Sequence, residues 1–157
     1  MSKSAKRVKA ALDAAGLNIE FVEMPDSTRT AEEAAIACKV EVGQIVKSLI
    51  FEGQRSGALK LLLVSGDHQV DLALAEKAVG EGLMRADVKR IRKETGFAIG
   101  GVSPIGHFSP LPTYIDEHLL DFDKVWAAAG GNNIVFEIDP KILLDITDAH
   151  TFKAILK

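Results

Sequence analysis

The chain has 157 residues, 47% of them apolar and 26% charged, with a formal net charge of −3. That length can bury a core without disulfides or metals, and one domain spanning residues 1–157 is expected. The charge balance excludes a general nucleic-acid coat protein, which would be strongly basic, but leaves room for a local basic patch that grips the end of an RNA.

The first residues, Met1-Ser2-Lys3-Ser4, lack the apolar stretch of a secretion signal. Runs such as Leu61-Leu62-Leu63-Val64 are too short to span a bilayer. Cys38 is the only cysteine, as suits a reducing cytosol. A cytoplasmic protein without a membrane partner is the expectation.

Val8, Ala11, Leu12 and Ala15 recur at helical spacing and predict a helix over 4–15, stopped by Gly16. Residues 19–22 read as a strand. Thr30-Ala31-Glu32-Glu33 is a capping box that opens a helix to about Lys39. Residues 45–51 form an apolar run that reads as a buried strand, with residues 59–64 as its hairpin partner. Asp71 and Asp87 are suitable caps for helices reaching Val79 and Glu94, the second carrying Lys89, Arg90, Arg92 and Lys93. Residues 113–115 and 134–138 read as strands, and Asp139-Pro140 as a cap followed by proline in the first turn. Strands and helices mingle without strict alternation. This predicts a mixed α/β fold: a mostly antiparallel sheet, or partial barrel, with helices around it.

Two features carry chemistry. Lys47 stands inside the apolar strand, and lysine is almost never buried without a partner. It is either an edge lysine reaching for water or a cation at the mouth of a pocket, ready for a phosphate or carboxylate. The second feature is Gly100-Gly101-Val102-Ser103-Pro104-Ile105-Gly106-His107. Glycines let a ligand approach the backbone closely, and their N–H groups can stabilise an oxyanion. An ordinary turn is the plainer reading of that segment.

Other constellations are weaker. Ser103, His107 and Asp116 could be drawn as a serine-hydrolase triad. A nucleophile elbow, however, uses the N–H of the next residue, and Pro104 has none. His68, His107, His118 and His150 are scattered, with no metal-ligand spacing among them. No metal and no cofactor are expected. Cys38 reads as a small core residue, and Trp126 as core or pocket wall. Most of the basic residues on the 87–94 helix read as solvated surface, with a few available to RNA phosphates.

The lysine strand and the glycine loop, together with Arg29-Thr30-Ala31-Glu32-Glu33-Ala34-Ala35 and Tyr114-Ile115-Asp116, resemble the YbaK/ProX family. These are free-standing aminoacyl-tRNA editing hydrolases whose domain also occurs inserted in bacterial prolyl-tRNA synthetases. The resemblance runs over nearly the whole chain. It implies a fold like that editing domain and hydrolysis of the ester of a mischarged amino acid, on tRNA-Pro or a related tRNA. It implies a metal-free reaction in which the tRNA's own ribose hydroxyl helps activate water.

By the same resemblance Lys47, Gly100 and Gly101 are catalytic: Lys47 anchors the terminal nucleotide, and the glycine backbone holds the ester carbonyl or the attacking water. Thr30, Ser103, Pro104, His107, Asp116 and Gly130 would then line the substrate. The partner implied is the 3′ acceptor end of a mischarged tRNA, with an aminoacyl-tRNA synthetase as a further candidate and no DNA. Ala127-Ala128-Ala129-Gly130-Gly131-Asn132-Asn133 departs from the pattern, since cysteinyl-type members carry a serine and a basic residue there. The rival class is a non-catalytic module that binds an amino acid or a tRNA end, or a regulator docked on a synthetase.

Overall fold

The computed structural model describes residues 1–156. Helix α1 (Lys3–Ala14) is capped by the Ser2 hydroxyl on the Ala5 N–H, and it buries Ala5, Val8 and Leu12. Strand β1 (Val22–Glu23) is much shorter than residues 19–22 suggest. Ile19 and Phe21 still pack on the core, but the Ile19 carbonyl takes the Lys9 ammonium at 2.9 Å. Helix α2 (Ala31–Cys38) has the expected capping box: Thr30 Oγ1 accepts the Glu33 N–H, and Glu33 accepts the Thr30 N–H.

Strands β2 (Val46–Gly53) and β3 (Leu59–Ser65) form the expected antiparallel hairpin. Helix α3 (Leu72–Val79), strand β4 (Leu83–Arg85) and helix α4 (Val88–Thr95) follow, with Asp71 and Asp87 as caps. The remaining elements are β5 (Thr113–Asp116), β6 (Val125–Ala128), β7 (Ile134–Ile138), α5 (Pro140–Ile146) and β8 (His150–Phe152).

The strands form two sheets, ordered β4-β2-β3-β5-β8 and β1-β7-β6. The pairings β2–β3, β2–β4, β1–β7 and β6–β7 are antiparallel, whereas β3–β5 and β5–β8 are parallel. This is the expected mixed, mostly antiparallel architecture, but in two open sheets, not a closed barrel.

Alternation along β3 divides the core. Leu61 and Leu63 face a cluster with Val8, Leu12, Phe97, Val102, Ile115 and Phe136. Leu62 and Val64 face a second cluster with Ala75, Leu83, Phe152 and Ala154. At about 25 cal/mol per Å² of apolar surface, these two layers supply the main drive for folding. They also leave one sheet edge where β3, β5 and β8 all end and β2 begins.

Candidate active site

That shared edge gathers polar groups that lie far apart in sequence. Lys47 pairs with Val64 across β2–β3. Asp116 follows Ile115, the partner of Leu63, and so stands level with Val64 on the same face. His68 follows β3 by three residues. Its Nδ1 lies 2.8 Å from Asp116 Oδ2. The Lys47 ammonium donates to the His68 carbonyl.

Asp116 is 1% exposed. Besides the His68 ring it accepts the Ser65 N–H at 3.0 Å and the His118 N–H at 3.0 Å. Three donors thus fix the position of this buried carboxylate. Lys47 is half-buried, and desolvation pulls its pKa below the ordinary lysine value, while Glu32, Asp67 and Asp116 act in the opposite direction. Beside these groups opens a cleft of about 480 Å³, lined by Asp67, His68, Asp116, Glu117, His118, Asp121 and residues 153–155.

Burial raises the pKa of Asp67, but the Ser65 hydroxyl and the His68 and His118 rings outweigh it and hold that carboxyl below its usual range. Folding thus unites two of the histidines that look scattered in sequence. The donor atoms of Asp67, His68 and His118 lie within 4.8 Å of one another. The two rings nevertheless stack at 4.6 Å between centroids with a 20° tilt. Donors about 2.0–2.2 Å from one tetrahedral metal would stand roughly 3.3 Å apart. Near-parallel rings at this separation do not converge on a single point.

The glycine loop builds a second cleft. Gly100 has φ +93°, and the Gly101 N–H closes a turn on the Ala98 carbonyl at 3.1 Å. That N–H is therefore spent inside the turn and is not a free oxyanion donor. A Cβ on Gly101 would stand 3.0 Å from the Gly131 carbonyl carbon, and one on Gly130, at φ +94°, would stand 2.8 Å from the Ser4 carbonyl carbon. The glycines are required because three stretches of backbone touch here.

The Asn132 carbonyl accepts the Thr28 N–H, which ties residues 130–132 to the segment before α2. The cleft above, about 230 Å³, is lined by Ser4, Arg29, Arg92, Gly101, Gly130 and Asn132, among others. Arg29 and Arg92 are exposed, and neither forms an ion pair among the described residues. Arg90 by contrast is tied to Glu52, Glu94 and the Gly57 carbonyl.

The structure separates some residues that the sequence reading groups. Val102 and Phe97 anchor the glycine loop on one face of the five-stranded sheet, whereas alternation puts Lys47 on the other. The link between them is the start of α2: the Arg29 side chain lies against Gly100, and Glu32 acts on Lys47.

Ser103 is fully buried, and its hydroxyl accepts the Ile105 N–H at 3.3 Å. His107 Nε2 meets the Ser103 carbonyl at 2.7 Å, not the hydroxyl. Burial depresses the His107 pKa, the Ser103 carbonyl opposes that, and Arg7 adds to it. Asp116 belongs to His68. The Ser103–His107–Asp116 triad therefore does not exist. Ser103 and Pro104 lie beneath the surface and line neither cleft, whereas Asp116, though buried, reaches the wall of the cleft beyond β5. Thr30 is exposed, with its hydroxyl committed to the helix cap.

Cys38 is half-buried, and burial followed by Glu137 pushes its thiol up to about 11, so it is no nucleophile. Trp126 packs partly buried against Ile45 and α2. His68 is the residue that sequence reasoning missed. Its only local signal is its place in Gly66-Asp67-His68, just beyond the end of a buried strand.

Comparison with known proteins adds an independent finding. The family model for the aminoacyl-tRNA editing domain matches residues 25–146. EbsC of Enterococcus faecalis, named as a candidate Cys-tRNA(Pro)/Cys-tRNA(Cys) deacylase, is 29% identical over 120 residues, covering 76% of this chain and 73% of EbsC. The proline–tRNA ligase of Thermosipho africanus is 35% identical over 95 residues, which are 60% of this chain but 16% of the ligase. A crystal structure described as a candidate trans-editing enzyme for prolyl tRNA synthetase superposes with a TM-score of 0.92 at 48% identity, covering 100% of this chain and 99% of that one.

Proposed function

The chain belongs to the aminoacyl-tRNA editing domain family, and we propose that it is a trans-editing deacylase, which hydrolyses the ester between a wrong amino acid and the 3′ end of a tRNA. The observation that carries this reading is the basic cleft. In a chain of net charge −3, Arg29 and Arg92 stand unpaired among the described residues over a floor of glycine backbone. Unpaired guanidinium groups on an acidic protein suit phosphate oxygens.

Lys47 supplies a cation toward the ester end of the substrate. Its ammonium has three donors, and only one is spent on the His68 carbonyl. An ester is an activated acyl group, so orientation and charge stabilisation can supply much of the rate. Gly100, Gly101 and Gly130 shape the cleft by letting backbones meet, while Ser103, Pro104 and His107 brace the loop from behind. Thr30 fixes the start of α2, which joins the two regions.

The relatives named for prolyl-tRNA editing favour tRNA-Pro or a related tRNA as substrate, and a prolyl-tRNA synthetase as the partner whose errors are cleared. The compartment of this work is the cytoplasm, and the reaction unit is one domain over residues 1–157. No helix among the described residues is long and apolar enough to cross a membrane.

The test is single-turnover deacylation of tRNAs carrying alanine, serine, threonine or cysteine esters. At least one should be hydrolysed well above its spontaneous rate. Tight binding of these tRNAs without turnover would return the chain to the rival reading, a module that binds a tRNA end.

A further inference from the structure

The cleft at the ends of β3, β5 and β8 is the more chemically equipped of the two. We propose that His68, oriented by Asp116, is the general base that activates the hydrolytic water in this cleft. The inference rests on the deacylase reading and adds to it a catalytic residue and a place for the aminoacyl group.

Asp116 is buried and accepts from the Ser65 N–H, the His118 N–H and the His68 ring. With two backbone donors already fixing its position, the carboxylate holds the proton of the imidazole on Nδ1. That tautomer leaves the Nε2 lone pair free, 3.9 Å from Asp67 Oδ1 at the rim of the cleft. The arrangement matches the aspartate–histidine half of a hydrolytic triad, in which the acid fixes the tautomer and orientation of the base. The His118 ring stacks on His68 and prevents it from turning.

The cleft also suits the substrate. An aminoacyl ester carries a free α-ammonium, and Asp67, Glu117 and Asp121 provide carboxylates around the rim. A volume of about 480 Å³ takes a small amino acid with its ribose. The groups facing His68 are Lys47 from β2, Asp67 from its own loop, Asp116, Glu117, His118 and Asp121 from the end of β5 onward, and Lys153 after β8.

The step balances without a co-reactant. A water proton passes to His68 Nε2 as the water oxygen bonds to the ester carbonyl carbon. The carbonyl electron pair moves onto oxygen and returns as the bond to the ribose oxygen breaks. That ribose oxygen takes the proton from Nε2. The products are the free amino acid and a tRNA with its terminal hydroxyl restored.

The experiment is single-turnover deacylation by wild type and His68→Ala, using whichever ester the wild type hydrolyses, with folding checked by circular dichroism and tRNA affinity by filter binding. A general base typically contributes about 10²–10⁴-fold. The expected result is a rate loss in that range with tRNA affinity retained, and partial rescue by added imidazole, for which the substitution leaves room. The wild-type rate should rise with pH along one acid limb that His68→Ala lacks. Asp116→Asn, acting through the ring, should shift that limb rather than abolish it.

A folded His68→Ala that keeps the wild-type rate overturns the proposal. So does a wild-type enzyme stopped by EDTA and restored by zinc, which would assign the Asp67–His68–His118 group to a metal. A wild type inert toward every ester would instead defeat the deacylase reading itself.

Discussion

The cleft over Gly100 and Gly101 presents two exposed arginines above a floor made of backbone, whereas the cleft beyond β5 is ringed by carboxylates and histidines, with Lys47 held behind it on the His68 carbonyl. The first depends on the absence of side chains, the second on their accumulation. An aminoacyl-tRNA has the same division: a polyanion at one end and a small cationic amino acid at the other. A protein that must hold both needs surfaces of opposite charge, and the start of α2 lies between them: Arg29 lines the first cleft, and Glu32 acts on Lys47, which donates to the His68 carbonyl. The net charge of the chain conceals this division, because the two local excesses cancel.

Damage to one cleft should therefore differ in kind from damage to the other. The largest effect should come from Gly130→Ala. Its methyl would meet Ser4 backbone at 2.8 Å from a residue at φ +94°. Left-handed backbone costs an alanine about 1–2 kcal/mol, and overpacking adds about 1–3 kcal/mol. Urea denaturation should register a loss of roughly 2–5 kcal/mol from the two together. A loss of only a few tenths would show that the cleft floor is soft.

Next in size is Lys47→Met. It keeps the apolar stem and removes the charge, so the fold should survive. Hydrogen bonds to a charged group contribute about 1.5–3 kcal/mol, equivalent to a rate loss of roughly 10- to 150-fold. Single-turnover kinetics should show the loss in rate with tRNA affinity unchanged. If affinity falls instead, Lys47 grips RNA and the two clefts are not divided as drawn.

How far the sequence could be read follows from which signals are local. Capping boxes and capped helix starts are set by neighbours in the chain, and α2, α3, α4 and α5 lie where the sequence puts them. The β2–β3 hairpin was equally legible, since alternation and a turn define it. Strand β6 was not. In Val125-Trp126-Ala127-Ala128 the buried residues are Val125 and Ala127, and alanine carries little strand signal. Strand β8 buries only Phe152.

The site divides in the same way. Lys47 and the glycines stand out as local anomalies. The pairing of His68 with Asp116 spans 48 positions and is created by the parallel β3–β5 register, which no local pattern encodes. The same register commits Asp116 to His68, so Ser103, His107 and Asp116, plausible as a string of letters, never assemble into a triad.

A smaller effect is expected for Arg29→Ala combined with Arg92→Ala. Both side chains are exposed and carry no structural ion pair among the described residues, so stability should change little. Each phosphate that is no longer neutralised should flatten the salt dependence of single-strand binding by about 0.7 in log–log slope. Affinity measured from low to high salt gives the slope directly. An unchanged slope would move the RNA end away from this cleft.

The smallest effect should be that of Ser103→Ala, best judged beside Gly101→Ala. The Ser103 hydroxyl is buried and makes one bond, to the Ile105 N–H at 3.3 Å. Removing it loses the net worth of one part-buried hydrogen bond, about 0.5–1.5 kcal/mol in stability. Deacylation per folded molecule should be unchanged, because the hydroxyl faces neither cleft. At Gly101 an added methyl presses on Gly131 backbone at 3.0 Å, and backbone cannot swing aside as a side-chain end can. That variant should lose both stability and tRNA affinity by deforming the turn that closes on Ala98. The deciding measurement is single-turnover deacylation by both variants, normalised to the folded fraction. A Ser103→Ala protein that is folded yet inert, beside a Gly101→Ala protein that is nearly normal, would make Ser103 a nucleophile. His107 would then have to leave the Ser103 carbonyl and turn toward the hydroxyl, breaking the 2.7 Å contact that holds its ring.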